Sequence, residues 1–177
     1  MTVAGGIRRL VAWIPATPRP WMLAGGLLAL VVLGGGGWYW WTAYRAAALS
    51  QFSHASWLVQ DALSSQARPE QVEAAIRALE AFIARYPRHP AVPQAAYHLG
   101  NLRYQTRAYD LARDAYRLAL KKGAADSVGA LCRLGIGYSW EAQGNYPNAL
   151  AAYQEAEAQQ GAKDFLREET LLAVARI

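Results

Sequence analysis

A set of residues that recurs after 37 positions constrains this chain more than any other feature. Glycine, tyrosine and alanine residues of the segment 93–120 return in the segment 127–159. The recurring pairs are Gly100 and Gly137, Tyr109 and Tyr146, Ala112 and Ala149, Tyr116 and Tyr153, and Ala119 and Ala156. A fixed period of this length is typical of stacked helical hairpins, each of which buries its apolar face against its neighbours. The sequence therefore predicts an all-α fold.

The residue types at these positions resemble a tetratricopeptide repeat. Leu99 and Gly100 fit the first helix of the hairpin, and Tyr109 opens the second helix, which continues through Ala112 and Tyr116. The resemblance implies an α-solenoid of about three hairpins and a terminal helix, which binds other proteins and is not an enzyme. The expected parts are a tail at 1–20, a membrane helix at 21–45 and a repeat domain at 46–177, with hairpins at about 46–86, 93–122 and 126–160 and a terminal helix at 164–177.

The repeats flanking the clearest one are less regular. In the first, Val72, Ala75, Leu79 and Phe82 precede Tyr109, Ala112, Tyr116 and Ala119 by 37 residues, which indicates a degenerate repeat. In the third, two registers are possible for the first helix. Pairing Gly137 with Gly100 keeps the spacing but places Arg133 on the packing face. Pairing Gly135 with Gly100 places Leu131, Leu134 and Tyr138 there, and is preferred because a buried unpaired arginine is costly.

The segment Trp21–Trp41 predicts a transmembrane helix. No polar side chain occurs between Met22 and Gly37, and about 20 residues make roughly 30 Å of helix, which matches the hydrocarbon core of a bilayer. Aromatic rings favour the headgroup level and mark both ends of this segment. The expected interface anchors are Trp21, Trp38, Tyr39, Trp40 and Trp41. A cleaved signal peptide is the alternative, but the bulky aromatics before Ala43–Ala48 make a poor cleavage region.

Charged residues near this segment predict its orientation. Arg8, Arg9 and Arg19 precede it, whereas Arg45 alone follows it closely. Because the flank richer in arginine stays cytoplasmic, we expect a single-pass inner-membrane protein with a cytoplasmic N-terminus and a periplasmic repeat domain. The region 46–177 holds 14 Lys or Arg against 13 Asp or Glu, so its composition does not favour a nucleic-acid partner.

Small residues in the apolar segment indicate a second contact surface. Small side chains allow the backbones of two membrane helices to approach closely. The residues expected to pack against another membrane protein are Gly25, Ala29, Gly34, Gly35, Gly36 and Gly37. The alternative is that glycine is simply common in membrane helices.

The resemblance also implies a binding groove, because the first helices of tetratricopeptide repeats line the concave surface. The matching positions of the second hairpin are Gln94, Tyr97, Asn101, Tyr104 and Gln105. In the preferred register those of the third hairpin are Cys132, Ile136, Ser139 and Trp140. Tyrosine and tryptophan offer large contact areas with a polar end. As an alternative, Tyr104 and Trp140 belong to the core between repeats. Tyr109, Tyr116, Tyr146 and Tyr153 match packing positions.

No constellation of reactive residues indicates catalysis. His54, His89 and His98 lack metal-ligand spacing to Cys132 or to paired acids. Cys132 is interpreted as a small buried filler. No phosphate-binding loop, nucleophile elbow or dinucleotide fingerprint occurs in the sequence. We expect no enzyme activity, no cofactor and no metal.

Three functions remain open at this point. The link Tyr86–Pro90 before a Gln-Ala-Ala-Tyr helix resembles the periplasmic tetratricopeptide family of the cell envelope. The architecture resembles the ancillary subunit of the Sec translocon, which implies a scaffold linking the translocon to periplasmic chaperones. An accessory structural subunit of a large respiratory or photosynthetic membrane complex is the first alternative. An assembly factor for c-type cytochromes is the second.

Overall fold

The computed structural model describes residues 20–64, 67–124, 126–159 and 166–177, which form seven α-helices and no β-strand. The helices are α1 Pro20–Ala62, α2 Pro69–Arg85, α3 Val92–Gln105, α4 Tyr109–Lys121, α5 Asp126–Ala142, α6 Tyr146–Gln159 and α7 Arg167–Arg176. The predicted all-α fold is therefore confirmed.

Two compact units divide the chain, Met1–Tyr44 and Arg45–Ile177. The predicted boundary lies between residues 45 and 46. The predicted tail falls outside the described residues up to position 19. Arg8, Arg9 and Arg19, on which the predicted orientation depends, therefore lie outside them as well. The side chain of Trp21, a predicted interface anchor, is likewise outside the description.

The described part of the first unit is an apolar helix whose side chains lie on its surface. Leu33 is 73% exposed and Tyr39 is 76% exposed. The helix continues without a break through Gly34–Gly37. Among the residues that the structure describes, no helix combines the length and the apolarity needed to cross a bilayer. The described helices thus lend no support to the predicted span at Trp21–Trp41.

The hairpin turns of the second and third repeats are built alike. Arg107 and Gly144 stand 37 residues apart and both adopt positive φ, 63° and 73°. In the first turn the amide of Ala108 donates to the carbonyl of Arg103, and in the second Asn145 donates to Trp140 in the same way. A left-handed residue at this place closes the helix and satisfies its last carbonyls. The two turns therefore reverse the chain with one geometry.

A tyrosine ring from the second helix fills the interior of each of these hairpins. A Cβ atom added to Gly100 would lie 2.4 Å from the Tyr116 ring, and one added to Gly137 would lie 2.2 Å from the Tyr153 ring. Gly137 is thus the counterpart of Gly100, and the preferred pairing of Gly135 with Gly100 is wrong.

The reason is that Gly135 has a different neighbour and Arg133 is not buried. A Cβ atom on Gly135 would lie 2.6 Å from the ring of Tyr116, so this glycine accommodates the preceding repeat. Arg133 is half-exposed and lines a small surface pocket beside Glu155. An arginine can pack its aliphatic stem while its charge stays in water. The cost that argued against the 37-residue register therefore does not arise.

Contacts between successive helices join the hairpins into one domain. In the first hairpin the rings of Phe52 and Phe82 lie 5.3 Å apart, and Gln71 donates a 2.7 Å hydrogen bond to Asp61. Helix α3 packs against both α4 and α5, and α7 packs against α6. On α7, Thr170 and Ala173 are completely buried. This stacking places α3, α5 and α7 side by side, where they build the site described next.

Candidate protein-binding groove

A cavity of about 470 Å³ lies between α3, α5 and the start of α7. We call it the tyrosine cavity. Its size is typical of pockets that hold small ligands or side chains, roughly 300–1,000 Å³. Its lining residues are Tyr97, Asn101, Tyr104, Tyr116, Leu131, Leu134, Gly135, Tyr138, Leu166 and Glu169.

A second pocket adjoins the tyrosine cavity. It has a volume of about 330 Å³ and shares Tyr104 and Tyr138 with the first as common walls. Its remaining lining residues are Glu141, Ala142, Tyr146 and Arg176. Together the two pockets form a groove along the face that α3, α5 and α7 present.

Hydrogen bonds fix the polar groups of this groove. The Tyr138 hydroxyl donates to Glu169, which ties α5 to α7. Arg176 donates to both carboxylate oxygens of Glu141, over 2.9 Å and 2.7 Å, and the Tyr153 hydroxyl donates to the same group over 2.6 Å. The Arg176 guanidinium holds the pKa of Glu141 below its usual value. Burial is the main cause that raises the pKa of the Tyr138 phenol, and the hydrogen bond to Glu169 raises it further.

Three of the predicted groove residues on α3 meet in the tyrosine cavity: Tyr97, Asn101 and Tyr104. Asn101 accepts a 2.8 Å hydrogen bond from the hydroxyl of Tyr116, so the second helix of the repeat orients its amide. Gln94 is exposed and does not line the cavity; its amide lies 3.3 Å from the ring of His98. Gln105 is also exposed and outside both groove pockets.

The predicted groove residues of the third hairpin lie elsewhere. Cys132 and Ser139 are completely buried and offer no surface, so their placement in the groove is wrong, whereas the interpretation of Cys132 as a small buried filler is confirmed. Ile136 faces the small pocket beside Arg133. Trp140 packs against Arg113 of α4, whose guanidinium carbon lies 3.4 Å from the centre of the indole. Trp140 therefore belongs to the core between repeats, which was the alternative interpretation.

Other groove residues were missed at the sequence level. Tyr138 was assigned to a packing face, and Leu166 and Glu169 to a terminal helix without a binding role. Tyr146 was interpreted as a packing residue because of its family position, but it is 55% exposed. The residues 38 positions after Leu131, Gly135 and Tyr138 are Glu169, Ala173 and Arg176 on α7, and none repeats the residue type of its counterpart. Periodicity therefore carried no signal that α7 extends the groove.

The predicted helix-packing surface on α1 is open. Gly25, Ala29 and the four residues Gly34–Gly37 are exposed, and a Cβ atom on any of these glycines would meet nothing within 4 Å. Of the predicted interface anchors, Trp38, Tyr39, Trp40 and Trp41 are exposed as well. Their roles as packing surface and membrane anchors stay predictions.

The buried titratable side chains His89 and Cys132 are packed in the core of the repeat domain. His89 is buried edge-on against Phe82, and its Nδ1 accepts a 3.2 Å hydrogen bond from the amide of Ala91. Burial raises the pKa of the Cys132 thiol to about 12, which keeps it protonated and a poor nucleophile. Within the described ranges no cluster of His, Cys, Asp or Glu could hold a metal ion.

The chain was compared with models of known protein families. A family model of the tetratricopeptide repeat-like domain matches residues 22–167, which is most of the chain. The match includes the apolar part of α1 as well as the hairpins. No curated protein matches the chain.

Proposed function

The chain belongs to the tetratricopeptide repeat-like family, and from this premise we propose that it is a membrane-anchored scaffold that holds another protein in its groove. The observation that carries the proposal is the groove itself, which is lined by Tyr97 and Tyr104 of α3, Tyr138 of α5 and Tyr146 at the start of α6. Tyrosine is among the residues that contribute most to protein interfaces, because it buries a large ring and keeps a hydroxyl for hydrogen bonding.

The anchor is supported by the apolar sequence and by the exposure of its side chains. Met22–Gly37 contains no polar side chain, and the leucines, valines and tryptophans described between residues 28 and 41 are exposed rather than packed in a core. A helix that is apolar all round needs a lipid or protein neighbour. The family match starts at residue 22, so this segment is part of the shared domain.

The proposed location is the inner membrane, with the N-terminus in the cytoplasm and the repeats in the periplasm. The support is the cluster Arg8, Arg9 and Arg19 against the single flanking Arg45. In this location the groove would meet emerging polypeptides or their chaperones. The resemblance to the ancillary subunit of the Sec translocon makes this the first partner class to test.

Photo-crosslinking tests the groove directly. A photoreactive phenylalanine analogue in place of Tyr104 should capture the same protein as one in place of Tyr97, because both rings line one cavity. The matched control is Arg117 on α4, which is exposed but outside the groove pockets. Mass spectrometry identifies the captured protein. Equal capture from Arg117, or none from either tyrosine, would remove the groove from the proposed function.

Thiol labelling tests the orientation. A cysteine at the exposed position Ser64, in a Cys132→Ser background, should react with a membrane-impermeant maleimide in intact spheroplasts. Labelling only after lysis would place the repeats in the cytoplasm. A protein that leaves the membrane fraction in alkaline carbonate would contradict the anchor.

The open glycines favour a second candidate, an accessory structural subunit of a larger membrane complex. With no side chain beside Gly34 and Gly36, another helix could approach closely at this place. The double change Gly34→Leu and Gly36→Leu should then release the protein from its complex in mild detergent, whereas crosslinking from Tyr104 should be unaffected. Unchanged association would argue against this candidate.

A further inference from the structure

The tyrosine cavity combines aromatic rings with one carboxylate. Tyr97, Tyr104 and Tyr138 line it from α3 and α5, and Leu131 and Leu166 supply apolar wall. Glu169 is exposed at the side that α7 provides. Within the described part of the chain, its carboxylate accepts a hydrogen bond from Tyr138 and has no cationic partner.

We propose that this cavity recognises a lysine or arginine side chain of a partner peptide, flanked by an apolar residue. The inference rests on the proposed function and names the chemistry of its partner. The basic head group lies among the tyrosine rings and pairs with Glu169, and the apolar neighbour contacts Leu131 and Leu166. Aromatic faces attract cations, and a carboxylate strengthens that attraction.

The balance of charge along the groove agrees with a basic ligand. The charged residues that line its two pockets are Glu169, Glu141 and Arg176. Arg176 is already bound by both oxygens of Glu141, which leaves Glu169 as the unmatched charge. The groove is therefore negative in a chain whose formal net charge is +5. An acidic peptide would meet repulsion here, whereas a basic one is attracted.

The size of the cavity favours a side chain with its neighbours over an isolated small cation. About 470 Å³ is more than one ammonium group fills, and most of the lining residues are apolar or aromatic. Since burial of apolar surface is a main source of affinity, a peptide that adds leucine contacts to the cation should bind better than the cation alone. A free quaternary ammonium ion would use the rings only.

Matched peptides provide the test. The probes are acetylated and amidated pentapeptides of sequence Ser-Leu-X-Leu-Ser, in which X is lysine, norleucine or glutamate, together with tetramethylammonium chloride. Binding to the full-length protein in detergent micelles is measured by fluorine NMR after incorporation of 3-fluorotyrosine. The variant Glu169→Gln keeps an acceptor for the Tyr138 hydroxyl, and Glu168→Gln is the matched control on the same helix, exposed but outside the cavity.

We expect the lysine peptide to bind about fivefold more tightly than the norleucine peptide, and the glutamate peptide to bind most weakly. Glu169→Gln should abolish the preference for the lysine peptide over the norleucine peptide, and Glu168→Gln should preserve it. Equal binding of lysine and norleucine peptides would overturn the basic-ligand inference while leaving a peptide-binding groove. The inference would also be overturned if tetramethylammonium bound as tightly as the lysine peptide, or if no peptide shifted the fluorine resonances. The proposed function is decided separately, by the crosslinking from Tyr104.

Discussion

The second and third hairpins use the same packing but tie their central tyrosine differently. In α3 and α4 the hydroxyl of Tyr116 donates to the neutral amide of Asn101. In α5 and α6 the hydroxyl of Tyr153 donates to the Glu141 carboxylate, which also binds Arg176 on α7. The ring is therefore the common structural element, and the acceptor of its hydroxyl is where the repeats diverge.

This difference changes what each repeat presents to the groove. One position after the shared glycine, the second repeat has Asn101 and the third has Tyr138; four positions after it, they have Tyr104 and Glu141. At these two positions, each repeat gives the groove one aromatic ring and uses the other residue to hold its own central tyrosine. The glycine and tyrosine that pack the hairpin are the same in both repeats, whereas the two nearby positions exchange the roles of groove ring and hydrogen-bond acceptor.

The largest effect should come from removal of the shared ring. Tyr116→Ala and Tyr153→Ala should each lower the free energy of unfolding by about 3–5 kcal/mol, because both side chains are almost completely buried and leave a cavity. Urea unfolding followed by circular dichroism measures this. Tyr146→Ala is the control, since an exposed tyrosine should cost about 0.5 kcal/mol. A loss at Tyr116 or Tyr153 no larger than the control would show that the ring does not hold the hairpin.

The glycines that face these rings should not tolerate a methyl group. Gly100→Ala and Gly137→Ala should destabilise the domain by about 1–3 kcal/mol, because the new Cβ atom overlaps a buried ring. This penalty outweighs the helix propensity of alanine, worth about 1 kcal/mol.

Gly35→Ala is the matched control for these glycines, since its Cβ atom would lie in open space. It should leave the unfolding of the repeat domain unchanged. A destabilised Gly100→Ala with an unaffected Gly137→Ala would break the equivalence of the two repeats.

Substitutions in the two hairpin turns should change the free energy of unfolding in opposite directions. Arg107 adopts a left-handed conformation that costs a residue with a Cβ atom about 1 kcal/mol, whereas Gly144 adopts it freely. Arg107→Gly should therefore raise the free energy of unfolding by about 0.5–1 kcal/mol, and Gly144→Ala should lower it by about 1 kcal/mol. Thermal unfolding of the pair measures both, and a destabilised Arg107→Gly would show that the arginine side chain outweighs the backbone.

The smallest effect should be an acid sensitivity specific to the third repeat. Arg176 lowers the pKa of Glu141 in the folded protein, so this carboxylate stabilises the fold above its unfolded pKa, about 4.3. That stability is lost as the pH falls through the folded value. Glu141→Gln should therefore flatten the acid limb of the stability curve, by about 1 kcal/mol or less.

Asn101, the neutral acceptor of the second repeat, provides the control for the acid sensitivity of the third. Asn101→Ser should lower stability equally at all pH values, because no titrating group is removed. A Glu141→Gln variant with an unchanged acid limb would show that the ion pair with Arg176 adds nothing to folding.

Periodicity predicted the helices and the rings, because packing repeats with the chain. The spacing of 37 residues alone identifies Gly100 with Gly137 and Tyr116 with Tyr153. The prediction failed where it weighed one side chain in isolation. Arg133 was expected to be buried in the correct register, but it is half-exposed and lines a small surface pocket.

Of the groove, the sequence predicted only the residues that one helix contributes. Tyr97, Asn101 and Tyr104 follow from one helix and its family position. The pairs Tyr138 with Glu169 and Trp140 with Arg113 join residues about 30 positions apart, and no local pattern specifies which side chains meet. Such pairs depend on the angle at which successive hairpins stack, and this angle cannot be read from a single sequence.

The terminal helix α7 makes the groove depend on a local folding equilibrium. It has ten residues, too few for a helix to be stable alone, and it is held by Thr170, Ala173 and the contact of Arg176 with Glu141. A ligand that needs Glu169 binds only molecules in which α7 is docked, so its apparent affinity is the intrinsic affinity multiplied by the docked fraction. Ligand binding must in return slow amide hydrogen exchange in α7 before it slows exchange in the core.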